Sequence, residues 1–306
     1  MTQRRGTDTS ESNVPNKFYE VADRLGGLAF EDYLPESLAK TLDQLANALS
    51  VPRAGLLPVL LTLAATFSDT SYGIGPSGKM EAVQLFLPVV GSSGTNKSGL
   101  EQLLLYTLRK VVAALLHISK NPELLFKEQV MVAPGSVPVE DHTATPAAAL
   151  QKQSQNRNVL RAEDEWVTLK RAFNNGASNS SDGMQHTLKI YNGVNVEENE
   201  LKSGTERMII PRYNLFFNIQ PEPAASDFGE GSTAFDLGFT SRCLWTSAVG
   251  NFASDEIRPG LSSSAQTLIE IIAAIAGRSA IVHGSWEDRE DAAKSKKTSW
   301  NRVDYW

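Results

Sequence analysis

Residues 91–98 combine the groups that proteins use to hold phosphate. In order they are Gly91, Ser92, Ser93, Gly94, Thr95, Asn96, Lys97 and Ser98. Glycine-rich backbone presents amide N–H groups to a phosphate, a lysine at this point reaches the β- and γ-phosphate oxygens, and the next hydroxyl binds Mg²⁺. The run, here named the Lys97 loop, therefore predicts a phosphate-binding loop with ATP and Mg²⁺ as its ligands.

The Lys97 loop departs from the usual pattern G-x-x-x-x-G-K-[ST] at Asn96, where that pattern has glycine. A positive φ angle explains glycine at this position, and asparagine is one of the few other residues that tolerate it. The alternative is an ordinary Gly/Ser turn in which Lys97 is a solvated charge. A second Gly-Lys pair, in the segment 75–80, lacks a preceding apolar strand and a following hydroxyl, which favours a turn.

Metal binding and hydrolysis need carboxylates near the loop. Asp164 and Glu165 follow an apolar stretch at 159–162, and we expect Asp164 to hold Mg²⁺ and Glu165 to act as the base. Arg161 and Glu163 interrupt that stretch, which leaves Glu163 with Asp164 as an alternative pair. A second alternative is an acidic helix start.

Two further polar residues are candidates for the same site. Gln220 follows the strand predicted at 214–219, where it could sense the γ-phosphate or simply end the strand before Pro221. Arg242 lies within an apolar stretch, and arginines in such places usually have a charged partner. A phosphate and a structural carboxylate are both candidates for that partner.

The elements that must position these residues follow from hydrophobic periodicity. We predict a strand at 83–90 before the Lys97 loop and an amphipathic helix from the loop to about 118. Further strands are predicted at 129–132, 159–162 and 214–219, and Thr145-Pro146 has the form of a helix start, with the helix reaching about 155. Alternating strands and helices predict an α/β fold with a three-layer core and a mainly parallel sheet.

Composition shifts divide the chain into four predicted regions. Residues 1–16 are predicted to be disordered, and 17–75 form a helical lead-in with helices near 35–49 and 56–67. Residues 76–260 form the core. Residues 261–306 form a C-terminal helical segment with a basic and aromatic tail.

Charge and cysteine usage exclude several classes of protein. The net charge of −6 and isoelectric point near 5.4 give no overall basic surface for nucleic acid. A single cysteine, Cys243, excludes an intramolecular disulfide and indicates a reducing cytoplasm. Neither an apolar signal region nor a stretch long enough for a membrane span is visible. We therefore expect a cytoplasmic protein without a membrane partner.

Several segments together resemble a family of predicted P-loop ATPases of unknown function from phages, plasmids and other mobile elements. Members often lie beside or are fused to primases and are described as helicase-like. The matching segments, between about 30 and 250, are Leu34-Pro35 with its helix, the Lys97 loop, residues 145–150, Asp164-Glu165, residues 219–221 and residues 238–244. The resemblance implies a P-loop NTPase core of the RecA or AAA type, with Gln220 as a sensor and Arg242 as an arginine finger or sensor.

Two functions are compatible with these motifs. The first is an oligomeric, helicase-type ATPase of DNA replication or mobile elements, acting on single-stranded DNA. The candidate DNA contacts are the loop 174–182 and the tail, with its cations and aromatic residues Lys294, Lys296, Lys297, Trp300, Arg302 and Trp306. A tail of this composition is more often simply a solvated terminus. The second is a nucleotide-dependent switch or assembly module with little turnover, which Asn96 and the acidic net charge favour. A small-molecule kinase is a third.

Overall fold

The computed structural model describes residues 30–49, 53–68, 72–74, 80–121, 130–132, 137–156, 158–174, 182–191, 196–201, 204–209, 212–248 and 261–283. The helices are α1 (Glu36–Leu49), α2 (Arg53–Phe67), α3 (Lys97–Lys120), α4 (Pro146–Gln155), α5 (Trp166–Asn174), α6 (Asp182–Tyr191), α7 (Pro221–Phe228), α8 (Thr233–Asp236) and α9 (Leu261–Ala280). The strands are β1 (Tyr72–Ile74), β2 (Met80–Ala82), β3 (Phe86–Val90), β4 (Val130–Val132), β5 (Val139–Glu140), β6 (Asn158–Glu163), β7 (Val196–Leu201), β8 (Gly204–Ile209), β9 (Arg212–Ile219), β10 (Thr246–Ser247) and β11 (Ile281–His283).

Five strands form one parallel sheet in the order β10-β3-β9-β6-β5. β9 lies between β3, which leads into the Lys97 loop, and β6, which leads into Asp164. Registers place Val90 opposite Ile219 and Glu163 opposite Phe217, so the three strands end at nearly the same level. The predicted α/β fold with a parallel sheet is confirmed.

Helices cover both faces of this sheet. Leu87, Val89 and Phe216 join an apolar cluster with α1, α2, α3 and α9, whereas Phe86, Leu215 and Phe217 join a second cluster with α5, α6, α7 and α8. Successive strand residues point to opposite faces, so both faces of β3 and β9 must be apolar. Each such buried side chain contributes about 1.5–3 kcal/mol relative to exposure.

The helices predicted near 35–49, 56–67, after the Lys97 loop and at 146–155 are present as α1 to α4, and α4 shows its cap, whereas α6, α7 and α8 were not predicted from the sequence. Thr145 accepts a hydrogen bond from the Ala148 amide at 3.3 Å, and Pro146 is the first helical residue of α4. This is the predicted N-cap with proline at the first position. α1, α2 and α3 also lie where apolar periodicity places them.

Two predicted strands differ from the structure. The strand expected at 83–90 begins only at Phe86, because Gln84 uses its side chain to bond the Tyr191 carbonyl and the Tyr213 amide, both at 2.8 Å. The strand expected at 129–132 forms β4, but it pairs antiparallel with β11 outside the five-stranded sheet.

Pro88 lies inside a buried strand, a position that proline usually avoids because it has no N–H to donate. The Phe86 and Val90 carbonyls accept from Leu244 and Ala248 at 2.8 Å, so even-numbered residues of β3 face β10. Pro88 therefore faces β10, the short edge strand, where a missing donor disturbs the fewest bonds.

Some predictions concern residues outside the described ranges. They are the disordered segment 1–16, the turn at 75–79, most of the loop 174–182 and the tail after 283. The division into four regions stays a prediction. Among the described helices, none combines the length and the apolar character that a membrane crossing requires.

Candidate functional site

The Lys97 loop leaves β3 at the carboxyl edge of the parallel sheet, the edge at which open α/β sheets bind ligands. The Gly91 amide donates to the Ile219 carbonyl at 3.0 Å, which fastens the start of the loop to the end of β9. A Cβ atom at Gly91 would lie 2.7 Å from both the Ala248 carbonyl oxygen and Thr95 Oγ1. Glycine is therefore required for the chain to make this turn.

Asn96 adopts the left-handed conformation, with φ 53° and ψ 35°. It is the non-glycine residue with positive φ in the described part of the chain. Asparagine is among the residues that accept this region most readily. The left-handed backbone expected at Asn96 is confirmed, while its replacement of a phosphate-loop glycine stays a prediction.

Lys97 folds back over the loop rather than into solvent. Its Nζ atom donates to the carbonyls of Gly91 and Ser92, both at 2.7 Å. Burial lowers the pKa of Lys97, while the charges of Asp164 and Glu165 act in the opposite direction. A cation is thus held among backbone carbonyls at the centre of the loop.

The loop and the acidic residues meet directly. Ser98 Oγ, in the first turn of α3, donates to Asp164 Oδ1 at 2.8 Å, and Asn218 Nδ2 donates to the same oxygen at 3.2 Å. The three side chains come from α3, the end of β6 and β9. The structure therefore brings together the two halves of the site that the sequence predicts.

The charged residues that interrupt β6 form a buried ion pair. Arg161 bonds Glu163 Oε1 at 2.8 and 3.0 Å and lies 3.3 Å from Asp141 Oδ2. Burial raises the pKa of the Tyr213 hydroxyl, which stays neutral and donates to Asp141 at 3.2 Å. Because Arg161 holds Glu163, the geometry favours Asp164 with Glu165 over Glu163 with Asp164.

Asn218 is the site residue that the sequence prediction missed. Its side chain is 1% exposed and lies at the end of β9, opposite Val89. Its Oδ1 atom is buried and has no hydrogen-bond partner among the described residues, and Asn218 is one of the residues that line the cleft. An unpaired buried amide is costly and usually has a function. The signal in the sequence is an asparagine inside the apolar run 215–219.

An open cleft of about 1300 Å³ extends from the Lys97 loop between α5 and α7. Asp227 of α7 joins the two walls, accepting from Trp166 Nε1 at 2.6 Å and from Lys170 Nζ at 2.8 Å. The cleft has room for a ligand much larger than a phosphate group. Glu165, directly after Asp164, lines the cleft and is exposed.

Of the other two predicted site residues, Gln220 lies near the Lys97 loop and Arg242 does not. Gln220 lies in the cleft, with Nε2 3.4 Å from Ser93 Oγ, and it precedes the first residue of α7.

Arg242 lies at the opposite end of the sheet, because its neighbour Cys243 bridges to Phe86 at the start of β3. Along β3 this is roughly 13 Å from the Lys97 loop. Arg242 Nη1 donates to the Gly238 carbonyl at 2.8 Å, and its guanidinium lies 5.9 Å from the Tyr191 ring centroid.

The residues present fit a Mg²⁺ ion that arrives with a phosphate ligand. Within the described ranges, no three His, Cys, Asp or Glu side chains converge to hold a metal by themselves. Mg²⁺ characteristically takes one or two protein ligands and completes its shell with water and phosphate oxygens. Ser98 Oγ and Asp164 Oδ1 provide such a partial set.

A scan of the chain against models of known protein families finds no match, and a search of curated proteins finds no relative of significant similarity.

Proposed function

We propose that the protein binds ATP at the Lys97 loop and hydrolyses it. The observation that carries the proposal is the 2.8 Å bond between Ser98 Oγ and Asp164 Oδ1 beside the partly buried Lys97 ammonium. Chain segments 66 residues apart in sequence bring together a cation, a hydroxyl and a carboxylate at the carboxyl edge of the sheet. An ordinary Gly/Ser turn would not require this convergence.

Each residue of the site has a defined role in this proposal. Lys97 exchanges its two carbonyl partners for β- and γ-phosphate oxygens. Ser98 and Asp164 would hold Mg²⁺, which neutralises phosphate charge when bound. Glu165 accepts the proton of the attacking water, and Asn218 offers its amide to the same region.

An exposed Glu165 lining the cleft favours turnover over a switch without hydrolysis, because a base must reach water. The resemblance to helicase-like ATPases extends the proposal to a motor acting on DNA, with oligomerisation. Gln220 is the proposed γ-phosphate sensor, since its amide reaches Ser93 of the loop.

The test is calorimetric binding of ATP with Mg²⁺ to the protein and to Lys97→Ala. We expect Lys97→Ala to abolish binding, because it removes the main positive charge at the loop. Lys110→Ala is the matched control, since Lys110 is an exposed lysine of the same helix. Unchanged affinity in Lys97→Ala, with a thermal unfolding curve like that of the control, would end the proposal.

Phosphate release with and without single-stranded DNA separates the two functions left open above. A helicase-type ATPase should be stimulated by DNA, whereas a switch should show slow, DNA-independent turnover. Binding without measurable turnover in both conditions would favour the switch.

A further inference from the structure

Asn96 makes a contact that the usual glycine cannot make. Its Nδ2 atom donates to the carbonyl oxygen of Leu49, the last residue of α1. The last four carbonyls of a helix have no partner within the helix, and α1 has no basic residue in its last turn to serve them. The Asn96 side chain therefore caps the carboxyl end of α1.

The space around Asn96 suits this contact. Gly99 lies beneath the side chain, where a Cβ atom would be 3.0 Å from Asn96 Oδ1 and 3.1 Å from Nδ2. A larger residue at 99 would push the amide away from Leu49. The left-handed backbone of Asn96 and the absence of a side chain at Gly99 thus both serve the position of this amide.

A second close contact joins α2 to α3, the helix that follows the Lys97 loop. A Cβ atom at Gly55 of α2 would lie 3.3 Å from Leu100 Cδ1 and 3.8 Å from the Ser247 carbonyl oxygen. Glycine thus allows α2 to approach the first turn of α3 closely. The end of α1 thus contacts the Lys97 loop at Asn96, and the start of α2 contacts the helix that follows the loop at Leu100.

We propose that Asn96 is a positioning residue that holds the Lys97 loop against the end of α1, so that nucleotide at the loop orders the last turn of α1. The nucleotide part of this statement rests on the proposed function. Phosphate bound to the loop amides restricts the backbone at Asn96, and the Asn96 amide passes this restriction to the Leu49 carbonyl. A ligand that orders one partner of a contact reduces the freedom of the other.

The experiment is hydrogen exchange of the backbone amides of residues 45–49, followed by mass spectrometry. Asn96→Gly removes the amide and keeps the backbone, because glycine accepts the φ angle of 53°. Without nucleotide, we expect these amides to exchange about two- to tenfold faster in Asn96→Gly, the factor that one hydrogen bond is worth. With saturating ATP and Mg²⁺, exchange should slow further in the wild type and much less in Asn96→Gly.

Two controls isolate the contact. Asn121→Gly makes the same substitution at the other end of α3, where Asn121 bonds the His117 carbonyl at 2.9 Å, and it should leave residues 45–49 unchanged. Exchange in α6, on the opposite face of the sheet, should be the same in all variants.

Each result has one reading. If the amides of residues 45–49 exchange at the same rate in the wild type and in Asn96→Gly without nucleotide, the Asn96 side chain does not stabilise the end of α1. Equal slowing by ATP in both proteins, each shown by calorimetry to be saturated, would overturn the coupling. Failure of the wild type to bind ATP would refute the proposed function and with it the ordering of α1 by nucleotide. The comparison without nucleotide would still test whether Asn96 stabilises the end of α1.

Discussion

Removing the Arg161 guanidinium should destabilise the protein more than any surface charge deletion. The Arg161 side chain is 3% exposed and its partners Asp141 and Glu163 are 1% and 13% exposed. Arg161→Met preserves much of the volume but leaves two carboxylates without their cation. Deleting one partner of a buried ion pair costs about 3–5 kcal/mol, because the remaining charge is desolvated and uncompensated. That is a large share of the about 5–15 kcal/mol that stabilises a typical domain.

The assay is urea unfolding followed by circular dichroism, with Arg109→Met as the matched control. Arg109 pairs with Glu140 through two bonds of 2.7 and 2.8 Å, but its side chain is 61% exposed. Exposed pairs contribute only about 0–1 kcal/mol. Asp141→Asn added to Arg161→Met should recover part of the loss, because it removes one orphaned charge. A loss in Arg161→Met no greater than in Arg109→Met would refute the reasoning from burial.

Three further predictions concern the proposed reaction. Glu165→Gln should retain ATP binding and lose phosphate release, because the amide cannot accept a proton; if Glu163→Gln is the inactive variant instead, the assignment of the base is wrong. Because burial lowers the pKa of Lys97, the loss of ATP affinity as pH rises should have its midpoint below the ordinary lysine pKa of 10.5, and calorimetry that places the midpoint at or above that pH would contradict this. Arg242 lies far from the Lys97 loop of its own chain, so any role in hydrolysis must act on a neighbouring subunit. Mixing Arg242→Ala with Lys97→Ala should then restore part of the phosphate release, and a mixture as inactive as its components would exclude that role.

Features set by neighbouring residues could be predicted from the sequence. The Thr145 cap, the helix after the Lys97 loop and the left-handed Asn96 depend on local propensity and periodicity, which the sequence displays directly. The position of Asp164 and Glu165 directly after β6 was also predicted, because it depends only on residues next to them in the sequence.

Features that depend on strand order could not be predicted in this way. Arg161 reads as an interruption of a buried strand, since its partner Asp141 lies 20 residues earlier beside a strand of two residues. Arg242 could be placed only once β10 was known to run parallel to β3. Asn218 was missed because only the order β3-β9-β6 puts the end of β9 between the loop and the acid.

The central position of β9 has a consequence for synthesis of the chain. β3 and β6 have no ladder with each other, and each pairs with β9. The chain leaves the ribosome amino-terminal end first, and a domain folds as a unit. The Lys97 loop and Asp164 therefore emerge well before the strand that sets the distance between them. A nascent chain arrested before Arg212 would contain the Lys97 loop and Asp164, but without β9 it could not bring them together. Nucleotide could therefore assist folding only at a late step.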